Sequence, residues 1–446
     1  MLAAADGFDP GTEWAADVLW MQAESAAALK KADQSVAFYT RVAEGHPKSA
    51  LAGDAWIRMG WLQHDRQAWR EADAAFTQAV ARYPAHAQAA QTLYAAGVCL
   101  SRADDSEGAL ARWRKLLADY KTYANADEVR FQIAMELLRL KRDAEAVTAI
   151  DRLIAEHTAS KRVAEGLYWR GVLRQRQADG ADGAIADFRA AIKAGLPGTW
   201  ARDARLALGT LLLLLQHQGA EEAAAVFQPL LDASTRDALP PDRLTWLAEF
   251  QFSRGAFAEA ELAARTLAGG NHGPAWTQTG WALLGRALRA QKRAAEAIEA
   301  YTQAAAVTAD TPHLPETLLR LGELLIDAGR LDEADTRLRE AVAKTAAPEW
   351  QGLRAHAYAG LGRCAEARDQ KELALRYYLS VALLYDDPVL VPAALENVAR
   401  LHAALGHPAE SEAAGRELID RYPESEQAKV WKTRLPANPA EGKGHP

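Results

Sequence analysis

The chain has little of what usually announces a chemical function. Its 446 residues include two cysteines, Cys99 and Cys364, which excludes a disulfide scaffold; each thiol reads as a small buried hydrophobe. Eleven histidines are scattered, with no His-Glu-x-x-His and no Cys-x-x-Cys, so no metal site is expected. No glycine-rich phosphate loop opens a helix, because Gly442-Lys443-Gly444 stands isolated near the C-terminal end. Neither cofactor nor catalytic group emerges, and the chain reads as a non-enzyme. Basic residues do not dominate: 52 Lys and Arg face 59 Asp and Glu, a net charge of −7. That balance argues against nucleic acid or an anionic membrane as partner.

Long apolar runs are also missing. The longest, 206–215, is interrupted by Gly209 and Thr210 and reaches about half of the roughly 20 residues a membrane span needs. Met1-Leu2-Ala3-Ala4-Ala5-Asp6 has no basic or apolar leader region. An Ala-rich start fits an ordinary N terminus, and equally the remnant of a trimmed signal peptide. The first places the protein in the cytoplasm, the second in the periplasm or cell envelope.

What is present is alanine, with many Leu, Glu, Arg and Gln, a composition that favours helices throughout. A small residue recurs along it: Gly60, Gly97, Ala134, Gly171, Gly209, Ala248, Gly285, Gly322, Gly362 and Ala399. The gaps are 37, 37, 37, 38, 39, 37, 37, 40 and 37 residues. One step back falls on Ala23. A period in this range marks an all-α solenoid of stacked helical hairpins. Cys99 and Cys364 lie seven steps apart on this ladder, too far to pair.

One unit is clear over residues 56–84. Trp56, Met59 and Gly60 share a first helix; Ala72, Phe76 and Ala79 share a face of a second; Pro84 closes it. The frame returns as Trp281, Leu284, Gly285, Ala297, Tyr301 and Ala304, and as Tyr358, Leu361, Gly362, Ala374, Tyr378 and Val381. A small residue on one helix admits the other closely, and a ring fills the space beside it. These residues resemble the tetratricopeptide repeat family, whose frame is Trp-x2-Leu-Gly-x2-Tyr, Ala-x3-Phe-x2-Ala, then Pro. Eleven units are expected over about residues 14–423, fullest in the second, eighth, ninth and tenth. In the last, Gly415 stands where a ring is usual. The extra residues per unit fall at junctions such as Tyr83-Pro84 and Tyr422-Pro423-Glu424-Ser425. Such junctions resemble those of bacterial envelope tetratricopeptide proteins.

The ladder slips around its sixth unit, and Pro240-Pro241 then forbids helix continuation. The expected organisation is an N-terminal extension, 1–13, and two sub-arrays, 14–238 and 239–435. The second closes with a capping helix over 425–435, and 436–446 is expected to be a disordered tail. Lys161, Arg162, Arg170, Arg174 and Arg176 around Tyr168 and Trp169 read as a solvated helix face. Asp104-Asp105 and Asp386-Asp387 read as turn residues that cap helices or face water.

The family resemblance implies that first helices line a groove, at positions three before and one after each ladder residue. These rows give Ile57, Tyr94, Phe131, Tyr168 and Leu206, and Trp61, Val98, Met135, Val172 and Thr210. They form an apolar stripe. Further on, the second row becomes Glu249, Arg286, Glu323, Arg363 and Arg400. The same residues would instead be core if neighbouring helices cover them. None of the four asparagines falls on either row, so the Lys/Asn clamp that some family members use for a C-terminal carboxylate is not expected. The resulting expectation is a scaffold for a protein or peptide segment, with oligomeric state open. The alternatives are a regulatory arm serving a separate enzyme, and a structural or oligomerisation spacer.

Overall fold

The computed structural model describes residues 14–214, 219–231 and 239–434. The expected extension 1–13, tail 436–446 and most of the linker before Pro240 lie outside the described residues. Two compact units divide the chain, Met1–Gly219 and Ala220–Pro446, where the sequence break was placed at 238/239.

The first unit holds five hairpins and one further helix. These are α1 (Ala15–Ala28) with α2 (Ala32–Gly45), α3 (Leu51–Asp65) with α4 (Trp69–Arg82), and α5 (Ala89–Arg102) with α6 (Ser106–Asp119). Then come α7 (Ala126–Arg139) with α8 (Asp143–Glu156), α9 (Arg162–Gln175) with α10 (Ala181–Lys193), and α11 (Gly198–Leu214). The second unit opens with α12 (Ala220–Phe227) and a 3₁₀ turn. Five hairpins follow: α13 (Pro241–Ser253) with α14 (Phe257–Gly269), α15 (Pro274–Ala290) with α16 (Ala294–Ala306), and α17 (Leu314–Asp327) with α18 (Leu331–Lys344). The last two are α19 (Gln351–Ala367) with α20 (Lys371–Leu384), and α21 (Leu390–Ala404) with α22 (Pro408–Arg421), before a final α23 (Glu426–Arg434). A 3₁₀ turn, Pro348–Trp350, takes up the extra residues of the 40-residue gap. Among the described residues the only regular elements are helical, and the fold is an all-α array of helical hairpins.

Every ladder residue is buried on the first helix of its hairpin. Sixteen positions later stands the side chain that fills the crossing: Tyr39 after Ala23, Phe76 after Gly60, Trp113 after Gly97, Tyr301 after Gly285, Tyr378 after Gly362. The fit is tight. A Cβ on Gly322 would lie 2.5 Å from Leu338, and one on Gly362 2.7 Å from Tyr378. At Gly60 and Gly97 it would collide with the rings of Phe76 and Trp113. The last hairpin inverts this relation. Gly415 stands in the ring position, and Trp431 of α23, another sixteen residues on, packs against it. The capping helix is thus docked by an aromatic ring, with Ser425 accepting from the Ala428 backbone N–H at 3.1 Å.

A second register position sets the hairpin turn. Seven residues after the ladder the backbone turns left-handed: Lys30, Gln67, Asp104, Lys141, Lys292 and Asp369, and the glycines Gly255, Gly329 and Gly406. A third position joins consecutive hairpins. The Tyr83 hydroxyl donates to the Pro47 carbonyl at 2.9 Å, and Tyr120 to Pro84 at 3.0 Å. The tyrosine at this junction, followed by Pro84 in one case and Lys121 in the other, thus pins the preceding junction. In the second unit Gln278, fully buried, does similar work. Its amide donates to the carbonyls of Val307 and Ala309 at 3.1 and 2.9 Å, and its oxygen accepts from Thr311 N–H at 3.0 Å.

Candidate protein-binding groove

The predicted apolar row occupies one face of the first helices of the first unit, and its members differ in how much they leave to solvent. Ile57 and Phe131 are buried; Trp61, Tyr94, Val98, Met135, Tyr168, Val172, Leu206 and Thr210 are half-buried. The rings are engaged with their own hairpin or with the next helix along the array. Trp61 meets Phe76 edge-on at 5.2 Å, Tyr94 stacks on Trp113 at 6.4 Å, and Tyr168 stacks on Trp200 at 5.9 Å. Phe131 lies under the Arg162 guanidinium at 4.9 Å. Burial, helped by Glu128 and Tyr123, pushes the Tyr94 phenol up to about 12, so it stays a neutral packing group. Much of the stripe is therefore hairpin packing with one edge exposed.

At one place that edge opens into a cavity of about 380 Å³. Ile57 and Trp61 of α3 line it, with Trp20 of α1, Asp54 and Arg58 of α3, and Gln88 at the start of α5. Three successive first helices thus contribute to one pocket. Its charges are held loosely: His86 Nε2 is 3.2 Å from Asp54, and Arg58 is 3.6 Å from Glu24. Trp20, Asp54, Arg58 and Gln88 lie outside the sequence expectation. Trp20 was within reach of it, being three before Ala23 and so in the same row as Ile57 and Tyr94.

The charged row in the second unit is largely spent on its own array. Glu323 pairs with Arg320 at 3.0 Å, Arg363 with Asp327 at 2.8 Å, and Arg400 with Glu366. Arg286 differs. It lies over the Phe252 ring at 4.3 Å, and its Nε is buried without a partner among the described residues. Glu249 is exposed.

The basic cluster near Tyr168 is internally neutralised. Asp187, 2% exposed, receives Arg170 at 2.6 Å and Arg174 at 2.9 Å, while Arg162 binds Glu128 and Glu165. Asp105 caps α6 by accepting from Gly108 N–H, and Asp387 accepts from the N–H groups of Val389 and Leu390. The ring of His402, on α21, and that of His407, at the N-cap of α22, come within 6.1 Å. Among the described residues no group of three or more His, Cys, Asp or Glu could hold a metal ion.

Sequence models of the tetratricopeptide repeat match residues 17–49 and 54–86, and again 288–357. The chain carries tetratricopeptide repeats. A tetratricopeptide array is in general a scaffold for protein interaction, with proteins or peptides as partners. No curated protein matches the chain. Among solved structures, yeast Tom70 is 11% identical and covers 95% of this chain and 97% of its own, with a TM-score of 0.32. YrrB, described as a TPR protein with an unusual peptide-binding site, is 15% identical over 47% of this chain and 99% of its own, at 0.36. Pseudomonas aeruginosa pilF is 18% identical over 53% and 98%, also at 0.36. Similarity at these scores carries no argument about what this tetratricopeptide array binds. No described helix is long and apolar enough to cross a membrane.

Proposed function

We propose that the first unit holds a peptide or protein segment along the exposed edge of its apolar stripe, anchored in the cavity between Trp20 and Trp61. The cavity carries this reading. It lies where the Ile57 and Trp61 rows converge, and its volume of about 380 Å³ suits one or two side chains. Two indoles and an isoleucine would receive an apolar or aromatic anchor, the residue type that supplies most binding energy at interfaces. Asp54, Arg58 and Gln88 supply both charges and an amide at the rim for the backbone of an extended segment. The stripe through Tyr94, Val98, Met135, Tyr168, Val172 and Leu206 would contact the rest of the segment. In the charged row of the second unit, Arg286 keeps its Nε without a partner among the described residues. The reading assigns no catalytic group.

Truncating Trp61 would be a poor test, because its ring also packs on Phe76. Gln88 is exposed, so Gln88→Trp can fill the cavity without touching the core, and Arg58→Glu reverses a rim charge. Peptides selected by phage display on the wild type should share an apolar or aromatic anchor. They should bind roughly tenfold or more weakly to Gln88→Trp, with helicity unchanged. Selected peptides that bind both variants as tightly as the wild type would overturn the proposal.

A further inference from the structure

A second cavity, about 490 Å³, opens elsewhere on the first unit. Its walls are the second helices α6 and α8, and its floor is α7. On α7 the groove row uses Phe131 and Met135, whereas this cleft uses Arg130, Ile133 and Leu137. At 3.6 residues per turn those two sets point to opposite sides of the helix. The cleft is therefore separate from the groove and does not depend on the reading given for it.

Small side chains hold it open. Ala118 on α6 faces Thr148 and Ala149 on α8, and no large residue interdigitates there. Its base is apolar, formed by Leu117, Ile133 and Leu137. Its rim is cationic, with Arg114, Arg130 and Arg152 against the single carboxylate of Glu145. That carboxylate is already gripped by Arg142 through Nε at 2.6 Å and Nη2 at 2.7 Å, with Arg114 3.5 Å away. Arg130 pairs with Glu156 through Nη2, but its Nε is buried with no partner among the described residues. Arg152 is exposed and has no carboxylate partner among the described residues.

Three guanidinium groups share the carboxylates of Glu145 and Glu156, which leaves the rim with excess positive charge in a chain of net charge −7. We infer that this cleft is a second docking site, taking an acidic peptide segment that seats an apolar side chain on Leu117, Ile133 and Leu137 and sets carboxylates against Arg114 and Arg152. Charge complementarity selects the occupant, since a guanidinium fork matches a carboxylate with two parallel hydrogen bonds. The lining holds no aromatic ring, and single-stranded nucleic acid needs rings for its bases to stack on. A peptide is the better fit.

The test is fluorescence anisotropy with a fluorescein-labelled Glu-Glu-Leu-Leu-Glu-Glu peptide and its Gln-for-Glu counterpart. Arg114 and Arg152 are exposed, so a combined Arg114→Gln and Arg152→Gln variant should keep its helicity and melting temperature. Ala118→Trp, also at an exposed position, fills the cleft independently. The acidic peptide should bind the wild type, weaken with added salt, and lose roughly tenfold or more on each of these two variants. Gln88→Trp should leave its binding unchanged. Absence of binding to the wild type, equal binding to the double arginine variant, or equal binding of the Gln peptide would overturn the inference. So would capture of a single-stranded oligonucleotide in place of the peptide, or a self-association in sedimentation that the arginine variant abolishes.

Discussion

Gly285 and Tyr301, on paired helices sixteen residues apart, form one joint: a Cβ on the glycine would stand 2.5 Å from the tyrosine ring. Tyr301 is 3% exposed, so the ring has nowhere to retreat. Gly285→Leu, and Gly322→Leu at the equivalent joint with Leu338, should each cost about 1–3 kcal/mol or more through overpacking. Urea melts of the two variants check this. Melting curves unchanged from wild type would show that the ladder does not lie at the helix crossings.

The left-handed turn position predicts opposite effects at two equivalent sites. Lys292 holds φ at 61° and pays the steric penalty of a side chain there, whereas Gly329 holds 74° with open space around it. Lys292→Gly should stabilise by up to about 1 kcal/mol, and Gly329→Val should destabilise by about 1–2 kcal/mol. Thermal melts of both variants beside wild type decide it. A less stable Lys292→Gly would mean that contacts of the lysine outweigh its backbone strain.

Glu136 gives the array a pH dependence of known sign. Burial pushes its carboxyl up, but hydrogen bonds from Ser101, Ser106 and Arg139 outweigh that and hold it below its ordinary 4.5; Arg139 Nε donates at 2.9 Å. A lowered folded value means stability that is present above pH 4.5 and lost as pH falls through the folded value. Glu136→Gln should therefore be less stable than wild type at neutral pH, with the gap closing as pH drops below that range. A gap independent of pH would assign the effect to packing.

Cys99 is fully buried, and burial, with Asp73 adding to it, pushes its thiol up to about 11. Cys364 is also buried, and its Sγ donates to the Leu331 carbonyl at 3.2 Å. Neither should react with a disulfide-type thiol reagent in the native protein at neutral pH, and both should react promptly in urea. Fast native labelling would contradict their placement in the core.

The ladder, its ring partners and the alternation of first and second helices were legible in the sequence because they repeat. A constraint imposed at every hairpin leaves the same mark every 37 or so residues. The turn residue seven places on from the ladder was not legible, because Lys, Gln, Asp and Gly share it without sharing chemistry; only their backbone angle agrees. The Tyr83-Pro84 junction was visible as a motif, but the hydrogen bond from its tyrosine to the preceding junction appears only in three dimensions.

The candidate site divides in the same way. The register placed Ile57 and Trp61 in two neighbouring rows on one helix, but only the structure joins them to Trp20, Asp54, Arg58 and Gln88 around a cavity. The charged row of Glu323, Arg363 and Arg400 looked like a second groove chemistry, yet those side chains find partners within the array. By itself the sequence determined the helical-hairpin repeat, the ladder register and the identity of the residues on each helix face, since periodicity acts locally and survives in a string of letters. Only the tertiary structure decided which face residues are consumed by neighbours and where space is left over. Packing and ion pairing depend on side chains brought together from different hairpins, and no single repeat records what its neighbour contributes.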